Sequence, residues 1–377
     1  MMRTTFAAGI LLLVLGGLPL AASGHLGQIG GVSGVLKKAS DVHDLQVTDA
    51  EELELGATVS EKIRTRYGVV QDASVHRYVA LVGTALAQAS SRPALPWTFV
   101  VLETDGVNAF AAPGGYVHIT RGALALLQSE SELAGVLAHE IVHVTEKHTI
   151  QSIQKSKAVQ MGASETLSGN SALLEKAVTA TYDNIVERGF GREEENASDE
   201  KGIALANRIG YAPAGLSSFL TTLKDRNKDS KEKRGLFASH PEMDARIENI
   251  KKEIASRKMA STATLADRYK KFIAYTPKPM TEIATVTPGS AGLTGDSAKA
   301  EPKKEEPKKK SSGFGLSKLL PTGGSGGEKQ QALVTGSGSA RGVDPEKDSR
   351  GGSNPKPVPV KLAAADIAAF KKDGGLK

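Results

Sequence analysis

The sequence predicts an α+β fold, mainly α, with a small β-sheet and a C-terminal tail outside the folded domain. Three observations predict it. Between residues 45 and 277 apolar side chains recur mostly at helical spacing. Short β-branched and aromatic runs at 97–102 and 116–120 interrupt that pattern and read as strands. After Pro277 the composition shifts: residues 281–377 hold 24 Gly or Pro in 97 positions and two aromatics, Phe314 and Phe370. A segment so composed buries too little apolar surface to offset its ordering entropy.

In order, residues 1–23 read as a cleaved secretory signal. Arg3 supplies the positive charge, Phe6 to Ala22 is uncharged, and Ala21-Ala22-Ser23 offers small residues for cleavage. The rival reading is a retained anchor, but the run is short for a membrane span and Gly16, Gly17 and Pro19 weaken it. Residues 24–44 are a Gly-rich, flexible lead-in. Thr48 with Glu51 forms a capping-box pattern and opens a helix to about Tyr67. A second helix runs from about Ala73 to Ala89, with Val75, Val79, Val82 and Leu86 as its stripe. Trp97 to Leu102 is a strand. Pro113-Gly114-Gly115 is a turn, and Tyr116 to Thr120 alternates like an edge strand.

Glu132 to His148 reads as one helix, with Ser129 and Glu132 as its capping box and Leu133, Val136, Leu137, Ile141 and Val144 as its buried stripe. Within it lies HEIVH. His139 and His143 are four apart, so both imidazoles leave the same face, one turn apart. Two neutral imidazoles so placed can take two corners of a tetrahedral zinc site. Glu140, beside the first of them, can reach a water at the metal. The competing reading is a plain amphipathic helix with two surface histidines.

Residues 149–188 are helical but ambiguous. Arg192 to Ile209 is a helix, acidic in its first turns through Glu193, Glu194 and Glu195, which suits its dipole. Further helices follow at about 213–225, 243–257 and 264–275. A catalytic zinc needs a third protein ligand on another element. Spacing alone does not choose among Glu193, Glu194 and Glu195. If it is Glu195, Asp199 is one turn on and could fix the tautomer of a ligand histidine.

Composition narrows the classes. The chain has 377 residues and a formal charge of +6, of which residues 281–377 carry +5 from 16 Lys/Arg and 11 Asp/Glu. The folded part is near neutral, which argues against a nucleic-acid surface. With no Cys there are no disulfides, and zinc ligands must be His, Asp or Glu.

HEIVH followed by His148, the segment NAFAAPGGYVHITRG, and REEENASDEKG together resemble the zinc metallopeptidase family that includes HtpX, the periplasmic protease BepA and the CAAX prenyl proteases. The resemblance runs from about Thr48 to Arg257. It implies a mostly helical, zincin-like metallopeptidase domain over 45–277 and one Zn2+. The third ligand in that family is the Glu of an E-x-x-A-D motif, which falls here on Glu195 to Asp199, with Ser198 where Ala is usual. It implies peptide-bond hydrolysis of protein or peptide substrates, with Glu140 as general base and Asn108, Gly114 and Gly115 in the cleft wall. The strand after the two glycines would lie beside that cleft and pair with an extended substrate. The bland alternative is that those residues only shape a turn. His240-Pro241 with Arg246 matches a segment of BepA-like members, which would place His240 near the zinc or the oxyanion; the alternative is an exposed His and a structural ion pair of Arg246. His148 is expected to pack or hydrogen-bond below the metal helix rather than ligate.

The expected setting is the periplasm or outside the cell, in envelope protein quality control. The alternative function is a catalytically weak, zinc-fold binding or chaperone-like envelope protein. The tail, 278–377, is expected to be disordered, with a short helix at 361–372 that could dock an envelope partner.

Overall fold

The computed structural model describes residues 47–155, 167, 170–228, 243–285 and 349–377. The signal and lead-in segments and His240 lie outside the described residues. Helix α1 (Asp49–Tyr67) begins at a complete capping box: Thr48 Oγ1 accepts from Glu51 N, and Glu51 accepts from Thr48 N. Helix α2 (Ala73–Gln88) starts at Asp72, whose carboxylate accepts from Ser74 N and Val75 N.

Strands β1 (Thr98–Leu102), β2 (Ala109–Ala112) and β3 (Tyr116–Thr120) form one sheet in the order β1-β3-β2. β3 pairs parallel with β1 (Val100 opposite His118) and antiparallel with β2 (Phe110 opposite His118). The expectation that β3 is an edge strand is therefore corrected. Both its edges are bonded, and the edges of this sheet are β1 and β2. Alternate strand residues enter two cores. Phe99, Val101, Val117 and Ile119 join α2 on one face; Val100, Leu102, Phe110 and Ala112 join α1 on the other. Coverage on both faces explains why WTFVVL lacks apolar–polar alternation.

The remaining elements are α3 (Arg121–Leu126), α4 (Glu130–Thr145), α5 (His148–Lys155), α6 (Ser171–Tyr182), a π-helical turn (Asp183–Arg188), α7 (Arg192–Ile209), α8 (Gly215–Arg226), α9 (Met243–Ser256), α10 (Ala266–Phe272) and α11 (Ala364–Asp373). α4 is the central helix. Leu133, Leu137 and Ile141 are fully buried, and α7, α8, α2 and β2 all pack on it. The helix expected to run to His148 instead stops at Thr145. Lys147 takes a left-handed φ of 56°, its N–H returns to Val144 O, and His148 opens α5 at a new angle. Only half of the expected Ser129/Glu132 box forms: Ser129 Oγ accepts from Glu132 N, while Glu132 accepts from Gln128 N. No helix among the described residues is long and apolar enough to cross a membrane.

The expectation of a disordered tail is corrected only for its last part; residues 286–348 lie outside the described residues. Residues 349–377 lie on the domain. Gly352 N donates to Tyr67 O, Val69 N to Asn354 O, and the Arg64 guanidinium to Pro355 O. Val358 packs on one core, Val360 and Leu362 on the other, and Lys377 N donates to Ile209 O. The expected short helix is α11, with Ile367 and Phe370 buried. Composition misled because Pro-rich extended backbone starts with little entropy to lose. Spaced apolar residues then find a groove that only the folded domain supplies.

Candidate metal centre

α4 presents His139 and His143, and α7 crosses it to bring Glu195 against both. Close crossing is possible because Gly202 of α7 faces the backbone of Ala138 and His139. His139 Nε2 and His143 Nε2 are 3.0 Å apart; Glu195 Oε1 lies 3.4 Å from His143 Nε2, and Glu195 Oε2 3.6 Å from His139 Nε2. All three residues are buried. Tetrahedral zinc with bonds of about 2.0–2.2 Å holds its ligand atoms about 3.3 Å apart, so the observed separations fit that ion. Glu193 and Glu194 are less enclosed than Glu195, which is buried. Of the three, Glu195 is the one that groups with His139 and His143 closely enough to hold an ion.

The outer nitrogens are also held. His139 Nδ1 lies 2.9 Å from Asp199 Oδ1, close enough for the carboxylate to orient the ring through its outer nitrogen. His143 Nδ1 lies 3.1 Å from His148 Nδ1, so His148 hydrogen-bonds below the helix as expected. Burial holds the His148 pKa below the usual histidine value, which favours the neutral, accepting ring. Phe190 stacks on the His143 ring at 4.0 Å between centroids. In the sequence Phe190 reads only as part of a Gly-Phe-Gly break.

Arg246 of α9 is the residue whose partners the sequence does not reveal. Its Nε donates to Asp199 Oδ2 at 2.7 Å, its Nη2 to Asp199 Oδ1 at 2.6 Å, and its Nη1 lies 2.9 Å from Glu195 Oε2. Burial works to raise the Asp199 pKa, but the Arg246 charge and hydrogen bonds, with a further bond from His139, bring it down to about 2. Burial also disfavours the Arg246 charge, yet Asp199, Glu195 and Glu140 together hold its pKa above the usual value. Glu140 is buried beside His139. Among the described residues, three carboxylates thus surround one guanidinium, a charge balance that suits a divalent cation.

The expected cleft residues are placed as follows. Asn108 is buried at the start of β2; its N–H donates to Thr120 Oγ1, and its Oδ1 accepts from Ala109 N. Gly114 has a φ of 74° and donates its N–H to Glu52 Oε1. A Cβ there would sit 3.0 Å from Leu53 Cα, so the turn is fitted to α1, and it also touches α4. His118 is wholly buried 2.9 Å from Ser60 Oγ, and His76 donates to Val70 O; neither joins the cluster.

Residues 73–254 match the model of peptidase family M48. The beta-barrel assembly-enhancing protease of Yersinia pestis is 25% identical over 228 residues, 58% of this chain and 46% of its own length. A Vibrio cholerae protein provisionally given the same name is 29% identical over 210 residues, 53% of this chain and 43% of its own length. The mitochondrial metalloendopeptidase OMA1 of Schizosaccharomyces pombe is 28% identical over 201 residues, 50% of this chain and 57% of its own length. This chain spans less than half the length of the two bacterial relatives.

Proposed function

We propose that this chain, whose residues 73–254 belong to peptidase family M48, is a zinc-dependent metalloendopeptidase of the cell envelope. The observation that carries the reading is the convergence of His139, His143 and Glu195, with Glu140 next to the first of them. His139 Nε2, His143 Nε2 and Glu195 would hold the ion. A zinc ion held there would supply Lewis acidity, polarising the scissile carbonyl and acidifying a water.

The protein groups do the rest. Glu140 takes the proton from the attacking water and returns it to the leaving amine. Asp199 keeps His139 in one tautomer, and His148 does the same for His143. An extended substrate would add to β2, the sheet edge that packs on α4, by main-chain hydrogen bonds. Asn108 would anchor the start of that edge through its bonds to Thr120 and Ala109. Gly114 and Gly115 would form its far end. His240 lies six residues before Arg246 in the chain and is proposed as a donor to the oxyanion. Envelope proteins are the proposed substrates, since the Yersinia pestis relative is named for beta-barrel assembly.

The test measures zinc content and casein cleavage for the purified chain and for Glu140→Gln. One zinc in both, with cleavage in the unaltered form about 10²- to 10⁴-fold faster than in the variant, is the expected result for loss of a general base. Zinc in both with cleavage in neither would favour the binding-protein alternative. No zinc in either would sink the site assignment.

A further inference from the structure

We propose that Arg246 is a positioning residue of the metal centre: one buried guanidinium fixes the third ligand, Glu195, and the carboxylate that orients the first ligand, His139. The inference rests on the metallopeptidase reading and deepens it. Arg246 comes from α9, an element distinct from both ligand helices. Its three donor groups are divided in a specific way. Nε and Nη2 form a fork onto Asp199, and Nη1 reaches Glu195 Oε2. Glu195 Oε1 lies 3.4 Å from His143 Nε2. Asp199 Oδ1 is shared between Arg246 Nη2 and His139 Nδ1. The carboxylate therefore cannot turn toward one partner without loosening the other.

Two physical consequences follow. With Oε2 2.9 Å from Arg246 Nη1, the Glu195 carboxylate is held with Oε1 toward His143 Nε2 and Oε2 toward His139 Nε2. Asp199, gripped by that fork, holds its Oδ1 2.9 Å from His139 Nδ1 and so limits how that ring can turn. A lysine would keep the charge but could not reproduce a planar fork on one carboxylate with a third donor on another. The arrangement thus depends on guanidinium geometry as well as on charge.

The experiment measures the zinc dissociation constant of the full chain by chelator competition, with the absorption spectrum of the cobalt-substituted form as a report of ligand geometry. Arg246→Lys is expected to weaken zinc about 10- to 100-fold, the usual effect of losing a partner that orients a ligand, and to alter the cobalt spectrum. Asp199→Asn is expected to weaken zinc as well. The double variant should lose less than the product of the two single losses, because both act on one network. An Arg246→Lys protein that binds zinc within about twofold of the unaltered chain, with the same cobalt spectrum, overturns the proposal. If Arg246→Lys does not fold, Asp199→Asn decides it: a folded variant with unaltered zinc affinity and spectrum also overturns it. Failure of the metallopeptidase reading has a separate signature, the absence of zinc binding by the unaltered chain, or its persistence in His139→Ala.

Discussion

Replacing Gly202 by Ala tests how closely the metal centre depends on the α4–α7 crossing. A Cβ at position 202 would lie 3.1 Å from His139 N, 3.2 Å from His139 Cα and 3.3 Å from Ala138 C. These are backbone atoms of the metal helix, so no side chain can swing aside. Relief requires α7 to move off α4 by roughly half an ångström to reach ordinary contact near 3.5–4.0 Å. Glu195 is seven residues earlier on α7, two turns along the same face, and moves with it. The candidate donor atoms of His139, His143 and Glu195, now 3.0–3.6 Å apart, would then spread beyond what one zinc spans. Two effects oppose each other in stability. Alanine gains about 1 kcal/mol of helix propensity over glycine, and overpacking costs about 1–3 kcal/mol. The net expectation is a loss of about 0–2 kcal/mol in the zinc-free protein, with zinc affinity reduced about 10-fold or more, since sites tolerate about 0.5 Å of misplacement. Urea unfolding of the zinc-free form and chelator competition read the two separately. A variant about 1 kcal/mol more stable, with unchanged zinc affinity, would refute the argument that the crossing is at contact distance.

Glu130, fully buried in the first turn of α4, accepts from Tyr78 Oη, Tyr211 Oη and the Arg268 guanidinium; Glu130→Gln should cost about 2–4 kcal/mol in denaturant unfolding, discounted from the full buried-pair value because Arg268 retains solvent access. Burial holds the His118 pKa at about 3 against 6.5 for the free side chain. The unfolded chain therefore takes up the extra proton as pH falls below about 6.5, and between about pH 7 and pH 5 this ring should remove about 2 kcal/mol of stability. Comparison with His118→Gln, which keeps a partner for Ser60, should show that increment missing; equal pH slopes would contradict it. Deleting residues 349–377 uncovers the sites of Ile367 and Phe370 and takes Phe370 O and Asp373 from Arg268, so the thermal midpoint should fall by several degrees and recover on adding a 349–377 peptide.

What the sequence alone determined is local. The four-residue spacing of His139 and His143, the stripe of Leu133, Leu137 and Ile141, and the Thr48–Glu51 cap all depend on neighbours within one or two helical turns. Backbone geometry turns such spacings directly into shared faces, so the metal helix and two of its donors were legible before any fold was known. Family motifs added Glu195, which spacing could not separate from Glu193 and Glu194. Tertiary structure decided the rest. Whether β3 is central depends on which strands pair across it, and its own alternation does not encode that. The partners of Arg246 lie 47 and 51 positions away, and no periodicity links them. The docking of residues 349–377 depends on a groove built by α1, α2 and α10, so its Gly/Pro-rich composition pointed the other way. Long-range contacts form only when packing brings distant elements together, and each side carries too little information alone to name its partner.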